Sequence, residues 1–284
     1  MIAAPPPRAR AGDPFGEIGK LAAFLRRDLL IALSYRWAFL SDAIGLIAQA
    51  FVFYFVNQIV DPARMPVFGG ARADYFAFVT IGIGLHAIIQ TVISGMALAI
   101  RREQLMGTLE SLLVTPTSPP TLQLGSVIYD LAYVPLRTGI FLIVVSVVFG
   151  VDIKGSGWGP AAVILVALLP FIWGLGAASA AAVLTFHQVP GLLGLGIGAL
   201  SLASGAYFPL DLFPGWVAAV ARYNPIAIAL ATMRSALLGG TGWATVWTAV
   251  AVLIPMSGVT LALGNAAFRL ALRRVRRLGT LGLY

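Results

Sequence analysis

Polar residues are rare inside the long apolar runs of this sequence, so chemistry has to be sought first at Asp42, Gln49, Asn57, His86, Gln90, Asp130 and Arg137. At membrane depth such side chains are costly and face a bundle interior or a cavity, which makes each a functional candidate. His86 and Gln90 stand one helical turn apart and suit an interhelical hydrogen bond, with a proton relay as the alternative. Asp130 and Arg137 share a helix face but lie about 10 Å apart along its axis, so a direct pair is not expected and a bridge through another helix or water is. Asp42, near a membrane surface, suits snorkelling into headgroups.

The motifs of catalysis are missing. The only Gly-Lys pair, Gly19-Lys20, is followed by Leu21 and lacks the upstream glycine of a phosphate-binding loop, so this sequence does not hydrolyse ATP by itself. There is no HExxH and no GxSxG, His86 and His187 are far apart, and cysteine is absent, so neither a catalytic residue nor a metal site is expected. An intramembrane enzyme would need a constellation assembled only in three dimensions.

The elements that must position these residues follow from composition. Of 284 residues 59% are hydrophobic and 11% charged, where a soluble domain carries roughly a quarter charged residues. A span needs about 20 apolar residues to cross about 30 Å of hydrocarbon, and six spans with loops use up the chain. The reading is an all-α membrane protein. Residues 1–16 form a disordered cytosolic tail without signal-peptide character. Residues 17–36 form an amphipathic interface helix, with Ile18, Leu21, Leu25, Leu29 and Leu33 on one stripe, a simple extension of the first span being the alternative. Spans are expected at about 37–60, 75–100, 121–149, 160–186, 191–208 and 242–268, with a polar loop at 101–120.

Residues 209–240 are neither loop nor span. Pro214 to Ala221 and Pro225 to Leu238 are two short apolar stretches, the second with Asn224 as N-cap and Gly239-Gly240 as stop, and together they suggest a re-entrant hairpin. Gly191, Gly194, Gly196 and Gly198, then Gly205, would permit close packing of the fifth span, or form a substrate portal. Tyr207, Phe208, Phe213 and Trp216 suit an outer hydrophobic gate or membrane-interface anchors.

The net charge of +8 does not point to nucleic acid, because the basic residues cluster at the two ends between apolar runs. Thirteen Lys and Arg fall on the side of the termini, the last five in the basic tail 269–284, and five (Arg64, Arg72, Lys154, Arg222, Arg234) on the other. This asymmetry puts both termini in the cytoplasm, as an even number of spans requires.

Arg101 to Pro116 combines charges, a glycine and an amphipathic stretch that can present Leu105, Leu109, Leu112 and Leu113 to a surface; packing on its own bundle is the plainer alternative. Here the sequence resembles the type-2 ABC exporter permeases. Glu103-Gln104-Leu105-Met106-Gly107-Thr108-Leu109-Glu110-Ser111-Leu112-Leu113-Val114-Thr115-Pro116 is similar to that family's cytoplasmic stretch between the second and third spans. Ser204-Gly205-Ala206-Tyr207-Phe208-Pro209, then Pro214-Gly215-Trp216 and Asn224-Pro225, is similar to its re-entrant segment before the last span.

The resemblance implies a permease subunit in the bacterial cytoplasmic (inner) membrane, paired with a second permease copy as a homodimer and docked on two cytosolic ABC ATPase subunits that bind ATP and Mg. It implies that Glu103, Gln104, Leu105, Gly107, Thr108, Leu109, Glu110, Leu112, Leu113, Thr115 and Pro116 couple to the ATPase. His86, Gln90, Asp130, Arg137, Tyr207, Phe208, Phe213 and Trp216 are the candidates for a substrate path or gate. The expected cargo is amphipathic: a lipid-linked glycan, a glycolipid or a hydrophobic drug. The alternative is an ion-gradient-driven secondary transporter, which predicts internal repeats that the sequence does not display.

Overall fold

A computed structural model describes residues 14–34, 36–107, 119–125, 127–186 and 190–278. Four helices are long and apolar enough to cross a membrane: Tyr75–Leu105, Gln123–Phe149, Gly155–Thr185 and Trp243–Val275. Shorter apolar stretches run over Ile44–Asn57, Gly194–Ala203 and Pro225–Gly239.

Helix α1 (Pro14–Ser34) begins inside the segment expected to be a tail, and its Ile18, Leu29, Leu30 and Leu33 are exposed. Helix α2 (Arg36–Asn57) follows after one residue. The loop after it holds a small antiparallel hairpin, β1 (Val67–Phe68) with β2 (Ala71–Arg72), pairing Val67 with Arg72 and Phe68 with Ala71. Gly69 and Gly70 make the turn at φ of +60° and +85°, a conformation glycine adopts without steric cost.

Helix α3 (Tyr75–Leu105) is the axis of the molecule. Its apolar window is 78% buried, and it packs against α2 and most of the helices that follow. The side-chain oxygen of Asn57 accepts the Phe76 N–H at 3.0 Å, so this polar residue of α2 caps the first turn of α3. With 31 residues α3 is about 46 Å long, well beyond the hydrocarbon thickness. Arg101 to Leu105, expected in a loop, therefore belong to this helix. Arg, Glu, Gln and Leu are good helix formers, and the chain first turns off at Gly107 with φ +67°.

The expected third span is described as α4 (Pro119–Gly125) and α5 (Ile128–Phe149). A Cβ on Gly125 would come within 2.6 Å of the Phe24 ring, so α1 seats directly on α4. Helix α6 (Trp158–Thr185) and the 36-residue α10 (Trp243–Leu278) pack along each other. A Cβ on Gly264 would lie 2.0 Å from the Gly174 carbonyl oxygen, and one on Gly174 would lie 2.4 Å from that of Thr260, so the two backbones touch. In lipid, where apolar side chains gain nothing by leaving the solvent, such close backbone approach is a main source of helix association.

Helix α7 (Pro190–Ala203) carries the glycine series expected to serve this purpose, and it does not do so within the chain. A Cβ on Gly194, Gly196 or Gly198 would meet nothing within 4 Å, because α7 turns that face outward. The side of Gly191 lies outside the described residues. The intimate glycine contacts are instead at Gly82, Gly157, Gly174, Gly239 and Gly264.

Two short helices, α8 (Gly215–Ala221) and α9 (Pro225–Gly239), precede α10. The Asn224 side chain accepts the Ile226 N–H at 3.0 Å and Gly240 ends α9 at φ +65°, as local sequence chemistry requires. The expected basic tail is also helical, through Leu278. Phe268, Ala271, Leu272 and Val275 bury against Met96, Ile100, Ala177 and Leu184, while Arg269, Arg273, Arg274 and Arg277 face outward.

Candidate functional site

The chain between α7 and α8 turns back at Ser204 to Phe208, and the structure collects polar and aromatic side chains around it. Gly205 takes φ +73° and starts the reversal. Tyr207 then stacks on Phe53 of α2 with ring centroids 5.7 Å apart and meets His86 of α3 edge-on at 5.8 Å. Gln49 of α2 is a hydrogen-bond partner of the Tyr207 side chain. His86 also shares a hydrogen bond with the Ser201 hydroxyl, tying α3 to α7, and Ser204 donates to the Ser201 carbonyl at 2.7 Å. One tyrosine thus gathers α2, α3 and α7.

What holds the reversal in place is Arg234, in the middle of α9. Its Nε donates to the Phe78 carbonyl at 3.0 Å, while Nη1 and Nη2 donate to the Gly205 and Ala206 carbonyls, each at 2.9 Å. The guanidinium also lies 3.3 Å from the centroid of the Phe78 ring, and the residue is only 4% exposed. A rigid planar fork in which each of the three nitrogens donates to a carbonyl, with an aromatic ring beneath it, is how a charge can be buried at such depth. Space at this point is fully used: a Cβ on Gly82 would lie 2.0 Å from the Ala206 carbonyl oxygen and 2.9 Å from Arg234 Nη2.

Charge counting used Arg234 as one of the basic residues on the side opposite the termini, and the structure shows its guanidinium buried among carbonyls rather than placed at a surface. Its acceptors lie 156, 29 and 28 residues away in sequence, so no local pattern announces them. The available signal was an unpaired arginine inside a short apolar helix.

The remaining gate candidates do not join this cluster. Phe208 packs beside Tyr75 with centroids 6.3 Å apart, Gln90 is exposed, and Phe213 is half-buried. Trp216 is 75% exposed, which suits an anchor at a membrane interface better than a constriction within this chain. Arg137 sits with its guanidinium 5.7 Å from the Tyr133 ring centroid, beside an apolar cleft of about 150 Å³ between α2 and α5.

Asp130 lies at the opposite end of α3. A Cβ on Gly95 would come within 3.3 Å of its Oδ2, and the two residues line a cavity of about 420 Å³ between α1, the C-terminal end of α3 and the start of α5. Arg27, Asp28, Arg102, Glu103 and Tyr129 complete its polar lining. Gln104 beside them is buried, while Leu105 and Met106 are exposed at 64% and 63%. Of the coupling candidates, Glu103, Gln104, Leu105 and Gly107 are therefore at the end of one long helix. Thr108, Leu109, Glu110, Leu112, Leu113, Thr115 and Pro116 lie outside the described residues, as do His187 and the side chain of Asp42. Among the described residues no three His, Asp or Glu side chains are grouped to hold a metal ion.

Residues 20–238 match the family described as ABC-2 type transporter, a stretch that runs from the exposed apolar helix α1 to the end of α9. The chain belongs to the ABC-2 type transporter family. This ABC-2 type chain is also 28% identical over 203 residues to the linearmycin resistance permease protein LnrN of Bacillus subtilis (strain 168), covering 70% of this chain and 51% of that protein. The chain thus spans about half the length of the curated relative it matches. Family membership and the four long apolar helices make it a membrane protein.

Proposed function

We propose that this chain is the membrane subunit of an ATP-driven exporter, powered by a separate ABC ATPase and moving an amphipathic molecule out of the cytoplasm. The observation that carries the reading is α3: one continuous helix of 31 residues joins the Tyr207–His86 cluster to the Glu103–Gly107 end. A rod of this kind is what transmits a nucleotide-driven movement at one face to a two-state element at the other. In this reading α2, α3, α5, α6, α7 and α10 are the six spans, α8 and α9 are the re-entrant hairpin, and α1 lies in the cytoplasmic interface.

The carboxylates of Glu103 and Glu110, with Thr108 to Pro116, contact two ATPase subunits that supply ATP and Mg. A second copy of the chain completes the path in the inner membrane, with both termini cytoplasmic. The relative's name, a linearmycin resistance permease, supports outward movement of a compound.

The test is co-expression with a candidate ABC ATPase. A stable complex is expected, and Glu103→Ala and Glu110→Ala should leave assembly intact while lowering ATP-driven transport. If the chain purifies without the ATPase and both variants behave as wild type, this reading fails.

A further inference from the structure

The cavity between α1, α3 and α5 lies at the Leu105 end of α3, beside the stretch proposed to meet the ATPase. Its depth is set by α3. Counting about 20 residues of hydrocarbon from Tyr75 ends near Gly95, where the α3 lining of the cavity begins, and this lining runs on to Met106. The cavity therefore opens at the level of lipid headgroups, beside a helix whose exposed apolar residues suit the interface.

Its walls carry both signs of charge. Arg27 and Arg102 are set against Asp28, Glu103 and Asp130. Arg27 is already engaged, lying 2.8 Å from Asp28 and over the Phe24 ring at 5.1 Å, whereas Arg102 makes no ion pair with a described residue. Glu103 and Asp130 each have a partner within the chain, yet a carboxylate offers about four acceptor positions and keeps capacity for another donor. Phe24, Ile31, Leu98 and Met106 make the remaining wall apolar.

We propose that this cavity binds the headgroup of an inner-leaflet phospholipid bearing a primary ammonium, the phosphoethanolamine group. The phosphate meets Arg102 and Arg27, the ammonium donates to Asp130, and the first acyl carbons lie along Ile31 and Leu98. Three acidic and two basic side chains disfavour a lipid with a net negative headgroup. A trimethylammonium group has no N–H to give the carboxylates, so phosphatidylcholine fits less well. A soluble phosphoethanolamine would leave the apolar wall wet. The lipid would wedge α1 against the end of α3, so membrane composition would bias the stretch proposed to meet the ATPase. The inner-leaflet assignment rests on the orientation proposed above.

Native mass spectrometry of the delipidated full chain, titrated with phosphatidylethanolamine, phosphatidylcholine and phosphatidylglycerol of equal acyl length, tests this. Phosphatidylethanolamine should bind about tenfold more tightly than the other two, the effect of one charge-assisted hydrogen bond. Asp130→Asn should erase that preference and move it towards phosphatidylglycerol, and Arg102→Gln should weaken all three lipids. The Asp130→Asn result is a change in rank order, which a folding defect would not produce.

Equal affinities in the wild type, or an unchanged rank order in Asp130→Asn, would overturn the site. Competition by glycerophosphoethanolamine at the lipid's own concentration would overturn the lipid as its ligand. The chain has no cysteine, so Leu105→Cys labelled by a membrane-impermeant reagent reads the side separately. Labelling from the cytoplasmic face only is expected, and labelling from outside would remove the inner-leaflet assignment and the proposed orientation while leaving the lipid preference standing.

Discussion

The two ends of α3 are built on opposite physical terms. At the Tyr75 end, backbone meets backbone. Arg234 is bonded to three carbonyls, Gly82 lies against Ala206, Gly69 of the hairpin lies against Gly239, and the Lys154 N–H donates to the Leu237 carbonyl at 2.7 Å. At the Leu105 end, charged side chains surround a cavity of about 420 Å³ and apolar residues are left exposed. The first arrangement has one solution and resists displacement. The second can take up a ligand or a partner, because it holds an open cavity and exposed apolar residues. A helix held by backbone contacts at one end and by side-chain packing on α6 and α10 at the other passes movement of its Leu105 end as a tilt about the Tyr75 end, so the Tyr207 cluster sits where such a tilt would be felt.

The largest break in this contrast should come from Arg234→Ala, which leaves the Phe78, Gly205 and Ala206 carbonyls without their donor. We expect a loss of about 3–5 kcal/mol, read as a fall in melting temperature in detergent, with Arg234→Lys recovering only part because an ammonium cannot reproduce the fork. Melting unchanged by Arg234→Ala would mean that the Tyr75 end is not fixed by this residue.

Next come two glycines of one helix. Gly82→Ala should cost about 1–3 kcal/mol, since the Ala206 backbone must move, while Gly95→Ala meets only the end of the Asp130 side chain and should cost well under half as much in the same melting assay. Equal effects would erase the difference between the two ends.

Asn57→Ala should remove about 1 kcal/mol through the lost cap on α3, seen as faster hydrogen exchange at Phe76. Smallest in stability is Arg102→Ala at the exposed end, within about 0.5 kcal/mol of wild type in melting, so that any effect it has on lipid binding is not a folding effect.

Much of this architecture was legible in the sequence where the physics is local. Apolar runs marked the long helices, and Asn224, Pro225 and Gly240 marked both ends of α9 because a cap and a left-handed stop act within a few residues. Arg234 was not legible, because charge counting places an arginine by its neighbours in sequence and its acceptors come from α3 and from the reversal after α7. The glycines of α7 were misleading for the related reason that small residues show where helices can approach but not which helix does so.

At the other end the sequence placed a loop at Arg101, although helix-forming residues carry α3 four residues further before Gly107 stops it. The tail arginines likewise read as a basic tail after the last span, while the period of Phe268, Ala271, Leu272 and Val275 continues the helix beneath them. Of the candidate site, the pairing of His86 with Tyr207 needed the fold, and the cavity at Asp130 needed three separate helices.

The central claim is that movement at the Leu105 end of α3 is driven by a separate ATPase. The direct measurement is transport of a fluorescent amphipathic compound by proteoliposomes containing this chain with its ABC ATPase, energised in turn by ATP and by a proton or sodium gradient. We predict accumulation with ATP and Mg alone, abolished when the ATPase subunit is omitted. Accumulation driven by the ion gradient without ATP or the ATPase would contradict it.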